Sequence, residues 1–232
     1  MRWPISLFFV AVACFGIWNS GNAQADSLLL VNSQAINDDR YDDIKGSPFL
    51  FKEPVKARII RNDANIFDGV WLNYNGFTKE LEVRSGDQMI ELDRTWYLRV
   101  EIAAADNPHI ADEIIGDKLV MQRGIHQKFR DQFTILLFVG DDLFLIRDFD
   151  VEKRTNTVQD VGKSVEFEKF NVRNHYYIKR RGKLTQIRLK KNSVIDALDS
   201  PEVEAYIKSN KLRCSTVEEV IQVLEHFNTL QS

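Results

Sequence analysis

Between residues 55 and 102 the chain alternates apolar and polar side chains in short runs separated by turn formers. This pattern restricts the region to a sharply turned antiparallel sheet. Val55-Lys56-Ala57-Arg58-Ile59-Ile60, the stretch 66–74, Leu81-Glu82-Val83-Arg84, Met89-Ile90-Glu91-Leu92 and Tyr97-Leu98-Arg99-Val100-Glu101-Ile102 each read as a strand. Gly69 is a candidate bulge, because glycine tolerates the left-handed backbone that a bulge requires. Asn75-Gly76 predicts a two-residue hairpin turn with φ > 0 at both positions. The expected result is a first β block over residues 54–105, either a bent meander or a small barrel. At fold level only, its strand order resembles an Sm-like barrel.

Residues 106–131 read as a connector, with Asn107-Pro108 as a boundary signal and 118–123 and 127–129 as strands that could link the blocks. A second β block is expected over 132–190. It opens on the continuous apolar run Phe133-Thr134-Ile135-Leu136-Leu137-Phe138-Val139 and continues through separate strands at 143–146, 151–158, 165–170, 176–179 and 184–189. Residues 191–232 read as helices packed on that second block. Ser200-Pro201 supplies an N-cap before a proline at the first helical position. Ser215-Thr216-Val217-Glu218 predicts a capping box led by Ser215. The apolar stripe of the last helix is Val217, Val220, Ile221, Leu224, Phe227 and Leu230. The fold class is therefore α+β, mainly β, with two antiparallel blocks and C-terminal helices.

The first 25 residues have a different logic. Met1-Arg2 is a short basic start, 5–18 is an apolar run, and Ala23-Gln24-Ala25 offers small residues where a signal peptidase reads them. The apolar run is shorter than the roughly 20 residues a spanning helix needs. Cleavage near Ala25 and export to the periplasm or beyond is the expectation, and lipid anchoring through Cys14 is the minor alternative. Lys and Arg number 31 against 34 Asp and Glu, and cleavage removes Arg2 but no acid. The mature chain is then mildly acidic, which disfavours a phosphate backbone, so no nucleic-acid partner is expected. Cys214 would be the one mature cysteine and reads as a small apolar residue before a helix. Residues 26–53 form a polar leader, expected to be solvated and mobile up to the Gly46-Ser47-Pro48 turn, with Phe49-Leu50-Phe51 as an apolar plug.

Chemistry-bearing motifs are sparse. His109, His126, His175 and His226 lack metal-ligand spacing, and no nucleophile elbow or glycine-rich phosphate loop occurs. Asp141-Asp142 reads as turn chemistry. No catalytic, cofactor-binding or metal residue is assigned, and no cofactor is expected. Two groups of candidate contact residues remain. Trp71, Tyr74 and Trp96 could offer an aromatic platform to a sugar or peptide. Arg180, Arg181 and Lys183, at a hairpin tip, could meet an anionic polymer or a lipid headgroup as a peripheral membrane contact.

The segment Asp42-Asp43-Ile44-Lys45-Gly46-Ser47-Pro48-Phe49-Leu50, the β segment IFDGVWLNYNGFTKELEVRSGDQMIELD and the tail Tyr206-Ile207-Lys208-Ser209-Asn210-Lys211-Leu212 resemble an uncharacterised family of secreted bacterial proteins. That family has a GSP-aromatic-Leu leader, a β-rich body and a helical C-terminus. The resemblance implies architecture and export, and transfers no site residue. Three readings of function follow. The preferred one is a non-catalytic envelope binding or scaffold protein whose partner is an envelope protein or polymer. The others are a lipid or lipoprotein carrier with an apolar cavity, and a hydrolase with dispersed site residues. The oligomeric state is not legible.

Overall fold

A computed structural model describes residues 33–160 and 163–231. Residues 1–25, with the cut after Ala25 and Cys14, lie outside the described residues. The strands are β1 (Gln34–Ile36), β2 (Val55–Arg61), β3 (Ile66–Asn75), β4 (Glu80–Ser85), β5 (Gln88–Leu92), β6 (Tyr97–Ala103), β7 (Lys118–Arg123), β8 (Phe133–Val139), β9 (Leu143–Asp160), β10 (Lys163–Arg180) and β11 (Lys183–Ile187). Three helices follow: α1 (Lys191–Leu198), α2 (Pro201–Ser209) and α3 (Val217–Gln231).

The expected two blocks are one sheet. All 11 strands join in the order β1-β5-β4-β3-β2-β6-β7-β8-β9-β10-β11, every pairing antiparallel, and the sheet does not close into a barrel. Continuity arises because β2 pairs with β6 and the connector's β7 bridges β6 to β8. Asn107, expected at a boundary, is instead a buried clamp. Its side chain accepts from the Lys56 N–H at 2.8 Å and donates to the Lys56 and Ala103 carbonyls at 2.8 and 2.9 Å. An amide side chain can satisfy the backbone of a strand in this way where no neighbouring strand is present.

Period-two alternation buries one face. Val55, Ile59, Leu72, Tyr74, Leu81, Val83, Val100 and Met121 are fully covered. The bulge expected at Gly69 is present: φ is +72° there, and the β2–β3 register shifts between Ala57 and Ile59. The sheet curls enough that its two halves meet. The Tyr74 hydroxyl donates to the Phe133 carbonyl at 3.4 Å, and the Val151 N–H donates to the Gly76 carbonyl at 3.2 Å.

Asn75-Gly76 does turn the chain, though not as a two-residue hairpin. Residues 76–79 form the loop, and the left-handed residue is Lys79, at φ +65°. The Asn75 side chain accepts from the Phe77 and Thr78 N–H groups at 3.0 and 3.2 Å, which stabilises the wider turn. Lys79 then reaches across to β9, 2.7 Å from Asp150 and 2.9 Å from the Phe149 carbonyl.

From Ser33 onward the leader is docked rather than solvated. β1 is an edge strand on β5, and the Arg40 guanidinium pairs with the buried Glu82 carboxylate. Tyr41 packs against Phe49, Phe77 and Phe170 with ring centroids 6.2, 6.5 and 5.2 Å away. Lys45 donates to the Glu168 carbonyl and accepts from the Phe170 N–H. A polar sequence conceals this because the anchoring falls to Tyr41, Arg40 and Lys45, whose ammonium lies 3.9 Å from the Phe167 ring centre.

The four short strands expected between residues 143 and 179 are two continuous strands of 18 residues each. Neither contains a proline or glycine that would stop it. Residues 127–129 form a 3₁₀ turn instead of a strand.

The helices cover the end of the sheet carrying β9, β10 and β11, as expected. Leu143, Leu145, Ile178 and Ile187 meet Val194, Leu198, Val203, Ile207, Val220, Val223, Leu224 and Phe227 in one cluster. Cys214 lies within it, fully buried, and burial pushes its thiol pKa up. The Ser200 hydroxyl caps α2 by accepting from the Val203 N–H at 3.4 Å. The α3 box is shifted by one residue: Thr216 Oγ1 accepts from the Glu219 N–H, and the Glu219 carboxylate accepts from the Ser215 N–H. Leu230, placed on the apolar stripe by spacing, is exposed, and Val223 is buried instead.

Candidate functional site

A concavity lies on the outer face of the sheet, over β2, β3 and β6. It is an open groove of about 470 Å³ lined by Lys56, Arg58, Asp68, Glu101, Asp106 and Lys118, with Gly69 and two alanines between them. The groove follows from sequence in two steps. Alternation in β2 sends Val55, Ala57 and Ile59 inward, so Lys56 and Arg58 face out. The bulge at Gly69 then removes a side chain where one would fill the space: a Cβ there would sit 3.4 Å from Lys56 Cε.

Charges of both signs alternate across this face. Arg58 Nε lies 2.5 Å from Asp68, Arg99 Nε 2.8 Å from Glu101, and Lys118 Nζ 3.4 Å from Glu101. Burial works against ionisation of Glu101. The hydrogen bond and charge of Arg99, with Lys118, outweigh it and hold the carboxyl below its usual range. Glu101 is therefore held as a carboxylate between two cations.

Trp71 stands beside the groove. It is in register with Lys56 and 47% exposed, so its indole faces water, as alternation from the buried Leu72 requires. The other two aromatic candidates do not join it. Tyr74 is fully buried, its burial pushes the phenol pKa up, and its hydroxyl is used within the fold. Tyr74 belongs to the core because the residues from Leu72 to Asn75 are all covered. Trp96, 39% exposed, packs its ring 5.2 Å from the Arg61 guanidinium at the far end of β2. Arg61 points to the buried face, and five residues of strand, roughly 16 Å, separate it from Lys56. The sequence suggested one platform. Strand length and face parity leave Trp71 alone.

The basic hairpin tip is divided too. Arg180, Arg181 and Lys183 line an open groove of about 390 Å³ that also contains Asp196 and Asp199. Arg180 is committed to the fold: Nη1 donates to the Leu198 carbonyl at 2.6 Å, and the guanidinium lies 4.5 Å from the Phe227 ring centre. Arg181 sits at the turn with φ +48° and donates to Gln231 at 3.2 Å. Lys183 is exposed. Sequence reasoning saw the charge but not that two of the three cations reach the helices.

The histidines are dispersed. His226 stacks on Tyr206 at 3.8 Å, His126 accepts from the Lys128 N–H, and His175 lies 3.5 Å from Gln186. Among the described residues no three of His, Cys, Asp and Glu group to hold a metal ion. Sequence reasoning missed the charged groove. Its signal was Lys56 and Arg58 at period two opposite a glycine-bulged strand. Comparison with protein families, curated proteins and solved structures finds no match for this chain.

Proposed function

We propose that the protein is an exported, non-catalytic binding protein that holds an envelope polymer on the outer face of its sheet. The observation that carries this reading is Trp71, an exposed indole next to an open groove of alternating fixed charges. An indole face suits the apolar face of a sugar, and paired cations and anions suit a short peptide bearing amines and carboxylates. A cross-linked glycopeptide wall polymer carries both. The inner face of the sheet is filled by Tyr74, Tyr97 and Phe133, which favours surface binding over carriage of an apolar ligand inside. Export rests on residues 1–25 and on the resemblance to a secreted family.

Cosedimentation with purified peptidoglycan sacculi tests the site. The protein is expected to pellet with the sacculi, and Trp71→Ala to weaken binding about tenfold with an unchanged melting temperature. Equal binding by the variant would overturn the assignment of the site, and no binding by the unaltered protein would overturn the ligand class. Export is tested separately. Native protein is expected to begin at Asp26 in the envelope fraction, and material beginning at Met1 in the cytosol would refute it.

A further inference from the structure

The hairpin of β9 and β10 runs well past the body. β8 leaves β9 at Arg147, and β11 leaves β10 at Tyr176, so the ribbon from residue 152 outward is two-stranded. Lys45 touches β10 at residues 168–170, and Gly76 touches β9 at Val151. Beyond those contacts, among the described residues, no strand pairs with the outer edge of β9. A two-stranded ribbon is marginal in water, and sheet proteins normally guard such an edge with charge, proline or a bulge. Here the edge reads Thr155-Asn156-Thr157-Val158-Gln159, without a charge, a proline or a glycine.

We propose that this edge pairs with the same edge of a second copy, giving a four-stranded antiparallel sheet across a two-fold axis at Thr157. The backbone makes this edge complementary to itself. The Val151 N–H points away from β10, toward Gly76, and strand alternation then sends the N–H and C=O groups of Thr155, Thr157 and Gln159 outward as well. A two-fold axis at Thr157 pairs Thr157 with itself and Thr155 with Gln159 of the second copy, so every outward group in the run is used. An axis at Thr155 would bring the second copy against Val151, whose N–H is already taken.

That register brings exposed apolar side chains of the two copies into one row. Val158 and Val165, directly paired across the ribbon and 50% and 52% exposed, fall in one row with Asn156 and Phe167 of the second copy. The β10 side of the ribbon lacks this self-complementarity, because Glu166, Glu168 and Lys169 interrupt it.

Sedimentation equilibrium of the whole protein over a wide concentration range tests the pairing. A monomer–dimer equilibrium is expected. Thr157→Pro removes an outward N–H without touching the β10 ladder, and should weaken self-association at least about tenfold, while Thr157→Val leaves it in place. A monomer at every concentration would overturn the proposal, including one whose edge amides are protected from hydrogen exchange because residues 1–32 cover them. A dimer indifferent to Thr157→Pro would overturn it as well.

Discussion

Gly76→Val is expected to destabilise the protein by about 3 kcal/mol, lowering the melting temperature by about 10 °C. A Cβ at Gly76 would lie 2.5 and 2.6 Å from Phe149 ring carbons and 2.7 Å from Val151 Cγ2. Phe149 and Val151 are buried and held in a strand hydrogen-bonded on both sides of the contact, so neither can move away cheaply. The Gly76 N–H also donates to the Pro48 carbonyl at 2.8 Å, which ties leader, hairpin and β9 together at this point. The comparison is Gly86→Ala. Gly86 has φ +60° but nothing within 4 Å, so only backbone strain applies, about 1 kcal/mol. Urea unfolding of both variants measures the difference. Equal losses would mean that the hairpin does not dock on β9 in solution.

Arg40→Met should cost about 3 kcal/mol near pH 8 and much less near pH 4.5, a pH dependence the unaltered protein shows more weakly. The Glu82 side chain is 2% exposed. Burial raises its carboxyl pKa, and hydrogen bonds from Asn75 and Arg40 with the Arg40 charge pull it back, while Glu91 across β5 adds repulsion. Removing Arg40 raises the folded-state pKa further. A carboxyl whose folded pKa exceeds its unfolded value binds protons more tightly in the native state. Its stability contribution is therefore greatest at low pH and is lost as pH climbs from the ordinary carboxylate range toward the raised value. Stability curves for Arg40→Met at the two pH values check this. A loss independent of pH would mean that Arg40 acts by packing on Tyr41, 4.7 Å from its ring centre, and not by charge. Glu82→Gln in the Arg40→Met background should recover most of the loss at high pH, because a neutral amide needs no cation.

Local rules reached far into this fold. Period-two alternation located β2, β4, β5 and β6, since a strand with one buried face must repeat every second residue. The Ser200-Pro201 start of α2 was legible because capping is decided within a single turn, whereas Cys214, read as half-buried from its setting before an apolar helix, is fully covered. The same rules erred where a neighbour distant in sequence decides. Ser215 and Thr216 are both competent caps, and the packing of α3 on the sheet selected the second. Asn75-Gly76 fits a tight hairpin on its own terms, yet the approach of Phe149 requires the glycine, and the wider turn lets Lys79 reach Asp150. Polar residues 33–47 carry no periodicity, so nothing local shows that Tyr41 and Arg40 pin them down.

The candidate site divides along the same line. Strand parity in the sequence determined that Trp71 faces outward and that an apolar face lies opposite it, because each side chain's direction is set by its immediate neighbours in the strand. Only the tertiary structure decided that Trp96 and Tyr74 stand elsewhere, that Arg180 serves the helices, and that Lys56, Arg58 and Glu101 border one groove. Those outcomes depend on which strands lie side by side, and strand order is set by long-range pairing and by the curl of the whole sheet, for which adjacent residues hold no record.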